Sequence, residues 1–112
     1  MNNQPNRILL VCGLSFGVMF AAACASEQPA MPGSIRPTGK LKPAEQANLA
    51  KITIAEAMTA ALAAAPGKVV LAELEVEGGS LLYPFEVIGS DGKTTEVEID
   101  AGNGKVLGVD HE

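Results

Sequence analysis

The stretch 53–67, TIAEAMTAALAAAPG, carries both ends of a helix in its own residues, and this limits what the rest of the chain can be. Thr53 with Glu56 three positions on is a capping box. The Thr53 hydroxyl accepts from the Glu56 amide, and the Glu56 carboxylate accepts from the Thr53 amide. That carboxylate also lies in the first turn, where the helix dipole favours negative charge. At the far end Pro66 cannot donate into the hydrogen-bond ladder, and Gly67 suits a left-handed exit. Ile54, Ala57, Met58, Ala61, Leu62 and Ala65 recur at helical spacing as one apolar stripe. About a dozen helical residues are marginal alone in water, so the stripe needs a partner surface. The opposite face holds Ala55, Ala60, Ala63 and Ala64 where Lys and Glu are usual. Alanine is the best helix former, which accounts for this face by itself; a smooth second contact surface is the sharper reading.

The partner surface follows in the chain. After Gly67 the period changes to two: Val70, Ala72, Leu74 and Val76 alternate with Glu73, Glu75 and Glu77, as in a strand with one buried and one wet face. Gly78-Gly79-Ser80 is a hairpin turn, and residues 81–88 are a second strand with Tyr83, Phe85 and Val87 on one face. Pro84 lacks a ladder donor, so its amide position must face an unpaired side or a bulge. Asp91-Gly92 turns the chain into a third strand at 94–100, with Thr95, Val97 and Ile99 inward and Glu96, Glu98 and Asp100 outward. Asn103-Gly104 turns it once more, into a short strand at 105–109. One N-terminal helix packed on an antiparallel meander of three to four strands makes an α+β domain. Its expected core is Ile54, Met58, Leu62, Val70, Leu74, Val76, Tyr83, Phe85, Val87, Val97, Ile99 and Leu107. Residues 110–112 read as a frayed polar tail.

Upstream, the composition is different. Arg7 is the only charge before an uncharged, mainly apolar run over residues 8–23, which ends in AAAC and gives way to Ser26, Glu27 and Gln28. The run is short for a spanning helix, which needs roughly 20 residues, and it has the layout of an export signal over residues 1–24. Ala21-Ala22-Ala23-Cys24 resembles a bacterial lipoprotein signal, in which Cys24 becomes the lipidated first residue of an envelope protein. The alternative is ordinary cleavage after Ala23 or Ala25, which yields a soluble periplasmic or secreted protein. From 25 to 50, Pro29, Pro32, Pro37 and Pro43 with Gly33 and Gly39 read as a flexible tether, with PAEQANLA at its end able to form a nascent helical turn.

Several residue patterns together resemble the PepSY domain family. They are Lys51-Ile-Thr-Ile-Ala-Glu-Ala, Pro66-Gly67-Lys68-Val69, Tyr83 with Phe85-Glu86-Val87, Asp91-Gly92-Lys93, Val97-Glu98-Ile99-Asp100-Ala101 and Gly104-Lys105-Val106-Leu107. The likeness covers residues 51–109. It implies a small extracytoplasmic module of the kind found in propeptides of thermolysin-like metallopeptidases and in bacterial envelope proteins, one that restrains peptidases or binds other proteins. It implies no catalytic residue.

The residues themselves exclude much. A net charge of −5 leaves no basic stripe for nucleic acid. The only histidine, His111, stands at the end of the chain, so no histidine-based triad or multi-histidine metal site can be built, and the glycine pairs lack the lysine of a phosphate loop. No cofactor is expected and the protein is expected not to be an enzyme. Two function classes remain. In the first, a partner such as an envelope protein or peptidase binds the alanine face at Ala60 and Ala64, or adds a strand along the first strand at Leu71. In the second, carboxylates of the outer sheet face such as Glu73, Glu75 and Glu98 gather a cation or small ligand. No dense Asp/Asn loop of a dedicated calcium site is present.

Overall fold

The computed structural model describes residues 31–112, and in it the capping box closes. The Glu56 amide donates to Thr53 Oγ1 at 3.1 Å and the Thr53 amide to Glu56 Oε1 at 2.8 Å. The helix that they open, α2, spans Ile54–Ala64; a shorter one, α1, spans Pro43–Leu49. Five strands follow: β1 Lys68–Ala72, β2 Glu75–Glu77, β3 Ser80–Ile88, β4 Thr94–Asp100 and β5 Val106–His111. All pair antiparallel in the order β1-β3-β4-β5, and β2 also pairs with β3. The class is α+β as expected, with two helices in place of one and five strands in place of three or four among the described residues.

The additional strand traces to Pro84. Its carbonyl accepts from the Glu73 amide at 3.2 Å, so its backbone faces the first-strand side of β3. With no N–H to donate there, the single strand expected over 69–77 divides opposite it into β1 and β2. Within β1 the register slips between Val69 and Leu71, a β-bulge that leaves Val70 as the unmatched residue. Val69 then sits opposite Val87 and packs on the core. Val70, expected inside, is 56 % exposed. The Gly78-Gly79 turn joins β2 to β3 with both residues at positive φ, 61° and 84°, the backbone a tight two-residue hairpin demands.

On the inner face of the sheet Leu81, Tyr83, Phe85 and Val87 of β3 pack with Val97 and Ile99 of β4 beneath α2. The helix meets them with its smallest side chains. Ala57, Ala61 and Ala65 form its buried line, while Met58 and Leu62 flank it half-buried. Methyl groups at the contact let a helix approach a sheet closely. Ile54, also expected in the core, opens the helix on its exposed side. Leu74 and Val76 pack at the margin of the core, and Leu81 and Ala101 join it, continuing the alternation of Tyr83, Phe85 and Val87 and of Val97 and Ile99. Tyr83 lies 6.5 Å from Phe85, ring to ring, and its hydroxyl donates to the Ile52 carbonyl at 2.8 Å.

Two segments expected to be loose are built into the fold. Asp110 and His111 belong to β5, opposite Glu96 and Thr95, and the Glu112 amide donates to the Thr94 carbonyl at 3.1 Å. The frayed tail at 110–112 is corrected accordingly: β4 begins at Thr94 and supplies it with partners. The tether expected over 25–50 is corrected from residue 31 onward, where the chain lies against the sheet as a strap and then forms α1. What overrides its loop-like composition is a set of hydrogen bonds to β3, β4 and β5 that no local pattern reveals. Residues 25–30 and the export signal expected at 1–24, Cys24 included, lie outside the described residues.

The alanine contact yields a stability test. Ala61→Leu forces a larger side chain into a filled space and is expected to cost about 1–3 kcal/mol in urea unfolding. Ile54→Ala, on the exposed side, is expected to change stability by roughly 0.5 kcal/mol or less. A reversed order would show that α2 does not press on the sheet through its alanines.

Candidate functional site

Alternation along β4 places Asp100 among the outward acids, yet it is 1 % exposed. Its side chain sits where the strap crosses the end of β4. Oδ2 accepts from the Ser34 amide at 2.7 Å and Oδ1 from the Ser34 hydroxyl at 2.8 Å. Oδ1 also accepts from the amides of Gly102, at 2.7 Å, and Asn103, at 3.4 Å. Burial by itself raises the carboxyl's pKa; these donors more than offset it and hold Asp100 below the usual aspartate range. Around this clamp the Met31 amide donates to the Leu107 carbonyl, the Leu81 amide to the Ile35 carbonyl, and the Gly33 amide to Ser80 Oγ at 2.9 Å. Arg36 Nη1 donates to the same Ser80 oxygen at 2.9 Å. Gly33 is obligatory there, since a Cβ would stand 2.8 Å from that of Ser80.

Beside the strap the outer sheet face is acidic. Glu86 stands opposite Glu96, and Glu96 opposite Asp110, so three carboxylates line up across β3, β4 and β5. Like charges directly opposite are destabilising. Glu96 is pushed above the usual range by burial and by Glu77, Glu86 and Asp110, and Glu98 by burial and by Glu77, Glu96 and Asp110. Glu75 is raised furthest, to about 7, by burial, by hydrogen bonding with Glu77 and Glu73, and by their charges. Thus Glu73 and Glu75 come together with Glu77, whereas the neighbours of Glu98 are Glu77, Glu96 and Asp110. Among the described residues no group of three or more Asp, Glu, His or Cys side chains is placed to hold a metal ion. His111 is engaged in a 3.1 Å contact between its Nδ1 and Thr95 Oγ1. A groove of about 340 Å³ runs between the strap and the sheet, with Met31, Arg36, Glu77, Leu82 and Glu98 among its walls.

The surfaces suggested for a protein partner are placed unequally. Ala64 is exposed, as are Ala55 and Ala63, but Ala60 is half-buried and packs on the core. β1 forms one edge of the sheet. Leu71 is half-buried there and lies opposite Glu86, on the acidic face, so the exposed apolar side chain of this strand is Val70 instead. The bulge that brings Val70 outward shifts the alternation by one, and no sequence period announces it.

The carboxyl environments fix a pH dependence. Glu75 binds its proton more tightly folded than unfolded, so its contribution grows as pH falls from about 7 toward the ordinary value of 4.5. Asp100 has the opposite sign: its contribution is complete above its ordinary value of 3.8 and is lost as pH falls through its depressed folded value. The urea midpoint is therefore expected to be higher at pH 5 than at pH 8 and to fall again below about pH 4. Glu75→Gln is expected to raise the pH 8 value and flatten the upper arm. A midpoint that climbs from pH 5 to pH 8 contradicts the outer-face assignment.

No curated protein and no solved structure matches the chain. The family model described as peptidase propeptide and YPEB domain matches residues 51–110, from Lys51 just ahead of Ile52 to Asp110, the next-to-last residue of β5. The matched span is more than half of the 112 residues and takes in α2 and nearly the whole sheet. The chain belongs to the PepSY family.

Proposed function

We propose that this protein is a non-catalytic interaction module of the bacterial cell envelope that restrains or inhibits a peptidase. The observation that carries the reading is the β1 edge, unpaired among the described residues and joined to α2 with its exposed alanines through residues 65–67 alone. An extended segment of a partner can add a strand along such an edge, with main-chain hydrogen bonds supplying affinity. The bulge at Val70 twists the edge and limits promiscuous pairing. Ala55, Ala63 and Ala64 let a second backbone approach without freezing rotamers. Membership of a family named for peptidase propeptides supports a peptidase as the partner class. The AAAC end of the export signal supports delivery to the envelope with a lipid anchor at Cys24. The second reading, a cation or small ligand on the acidic face, has no gathered ligand set behind it among the described residues, and Tyr83 is committed to the Ile52 carbonyl.

Two measurements test this. Partner capture, with the partner found by crosslinking in envelope extract, is expected to weaken at least about ten-fold, roughly 1.4 kcal/mol, in Ala64→Lys and Val70→Lys, both exposed positions. If both bind like wild type while joint replacement of Glu73, Glu75 and Glu98 by Gln abolishes capture, the acidic face is the site instead. For delivery, the mass of the membrane-extracted protein is expected to begin at Cys24 with a diacylglycerol and an acyl chain, and Cys24→Ala to lose both. A wild-type protein that is wholly soluble and starts at Ser26 would remove the anchor and keep export.

A further inference from the structure

The strap is bound the way a peptide ligand is bound. Over residues 31–36 it donates three backbone amides, from Met31, Gly33 and Ser34, and accepts at Ile35 from the Leu81 amide. Each position is also read. Position 33 admits only glycine, because Ser80 closes on it. Position 34 needs a hydroxyl, which Asp100 accepts from while also taking the backbone N–H beside it. Ile35 packs on the main core, and Arg36 bonds to Ser80, which is 4 % exposed. Asp100 and Ser80 are buried polar groups that draw donors from the strap, and leaving such groups unpaired is costly. Residues 33–36 are thus held, with a bend at Ser34, through contacts particular to Gly, Ser, an aliphatic side chain and Arg. They are joined to α1 by a short connector, residues 37–42, in which Gly39 takes φ 75° with nothing within 4 Å of where a Cβ would stand, an open hinge.

We propose that this seat on β3, β4 and β5 is a binding site for a Gly-Ser-aliphatic-Arg segment bent at its serine, filled by the chain's own residues 33–36 in the monomer and by the strap of a second copy when the hinge opens. The exchanged state makes the same hydrogen bonds as the closed one, so it costs little beyond the loss of the local concentration that a short connector provides. That loss shrinks where copies are crowded. The inference does not depend on the peptidase reading, since the strap bonds to residues of β3, β4 and β5 and leaves β1 untouched.

Complementation between two full-length variants tests it. Gly33→Val cannot dock its own strap but keeps an intact seat; Asp100→Asn keeps an intact strap but loses the carboxylate that grips Ser34. Each alone is expected to sediment as a monomer, and an equimolar mixture to form a 1:1 heterodimer. A mixture that stays monomeric with both variants folded, as judged by circular dichroism, overturns the proposal. If either variant does not fold, hydrogen exchange on the wild type decides. The Ser34 and Leu81 amides are expected to exchange together, at least about ten-fold faster than those of Phe85 and Val97. Exchange of all four at one common rate shows that the strap never opens by itself, and overturns it equally.

Discussion

A buried carboxylate at the end of β4 holds the periphery of this fold together. Asp100 joins the strap, through Ser34, to the β4–β5 turn, through Gly102 and Asn103. Its neighbour Ala101 receives the amides of Lys51 and Ile52 on its carbonyl, so the approach to α2 is fixed at the same place. The charge of Asp100 is dispersed over the two donors of Ser34 and the amides of Gly102 and Asn103. A carboxylate so held is stable in the folded chain only while those donors stay in position, which is why a segment of loop-like composition is nevertheless ordered.

The two faces of the sheet solve different problems. The inner face buries Phe85, Leu81 and Ile99 under a helix whose contact line is alanine, and the close approach that alanine allows makes up for the small number of large side chains in so short a chain. The outer face carries Glu75, Glu86, Glu96, Glu98 and Asp110 in adjacent strands. Their mutual repulsion is tolerated because much of that face stays wet, and part of it is relieved by carboxyls that hold protons at higher pH than usual. Leu82, 3 % exposed, and Leu107 are covered where the strap crosses the sheet. The β1 edge, unpaired among the described residues, carries Leu71 on the acidic face opposite Glu86, and the exposed part of α2 carries Ala55, Ala63 and Ala64.

Local chemistry made the helix, its cap, the hairpin turns and the α+β class legible before any coordinates. Thr53 with Glu56 and the Gly78-Gly79 pair act over a few residues, so their geometry is written where they stand. The inward residues of β3 and β4, Tyr83, Phe85, Val87, Val97 and Ile99, were legible for the same reason: an unbroken period of two admits one assignment. The first strand misled, because Pro84 acts across the sheet on residues about ten positions away, and the bulge at Val70 reverses the phase that alternation implies. Of the candidate surfaces, Ala64 is exposed as expected, while Ala60 supports the core and Leu71 faces the acids.

By itself the sequence determined a capped helix, a meander to receive it and an acidic face, all properties of short-range periodicity and turn geometry, and its motifs carried a resemblance to the PepSY family. Only the tertiary structure decided that Asp100 is buried beneath the strap, that residues 31–36 form that strap, and that Asp110 and His111 complete β5. Those outcomes depend on hydrogen bonds between residues as far apart as Ser34 and Asp100. A carboxylate's solvation is set by which donors the folded chain brings to it, and no window of neighbouring residues contains that information.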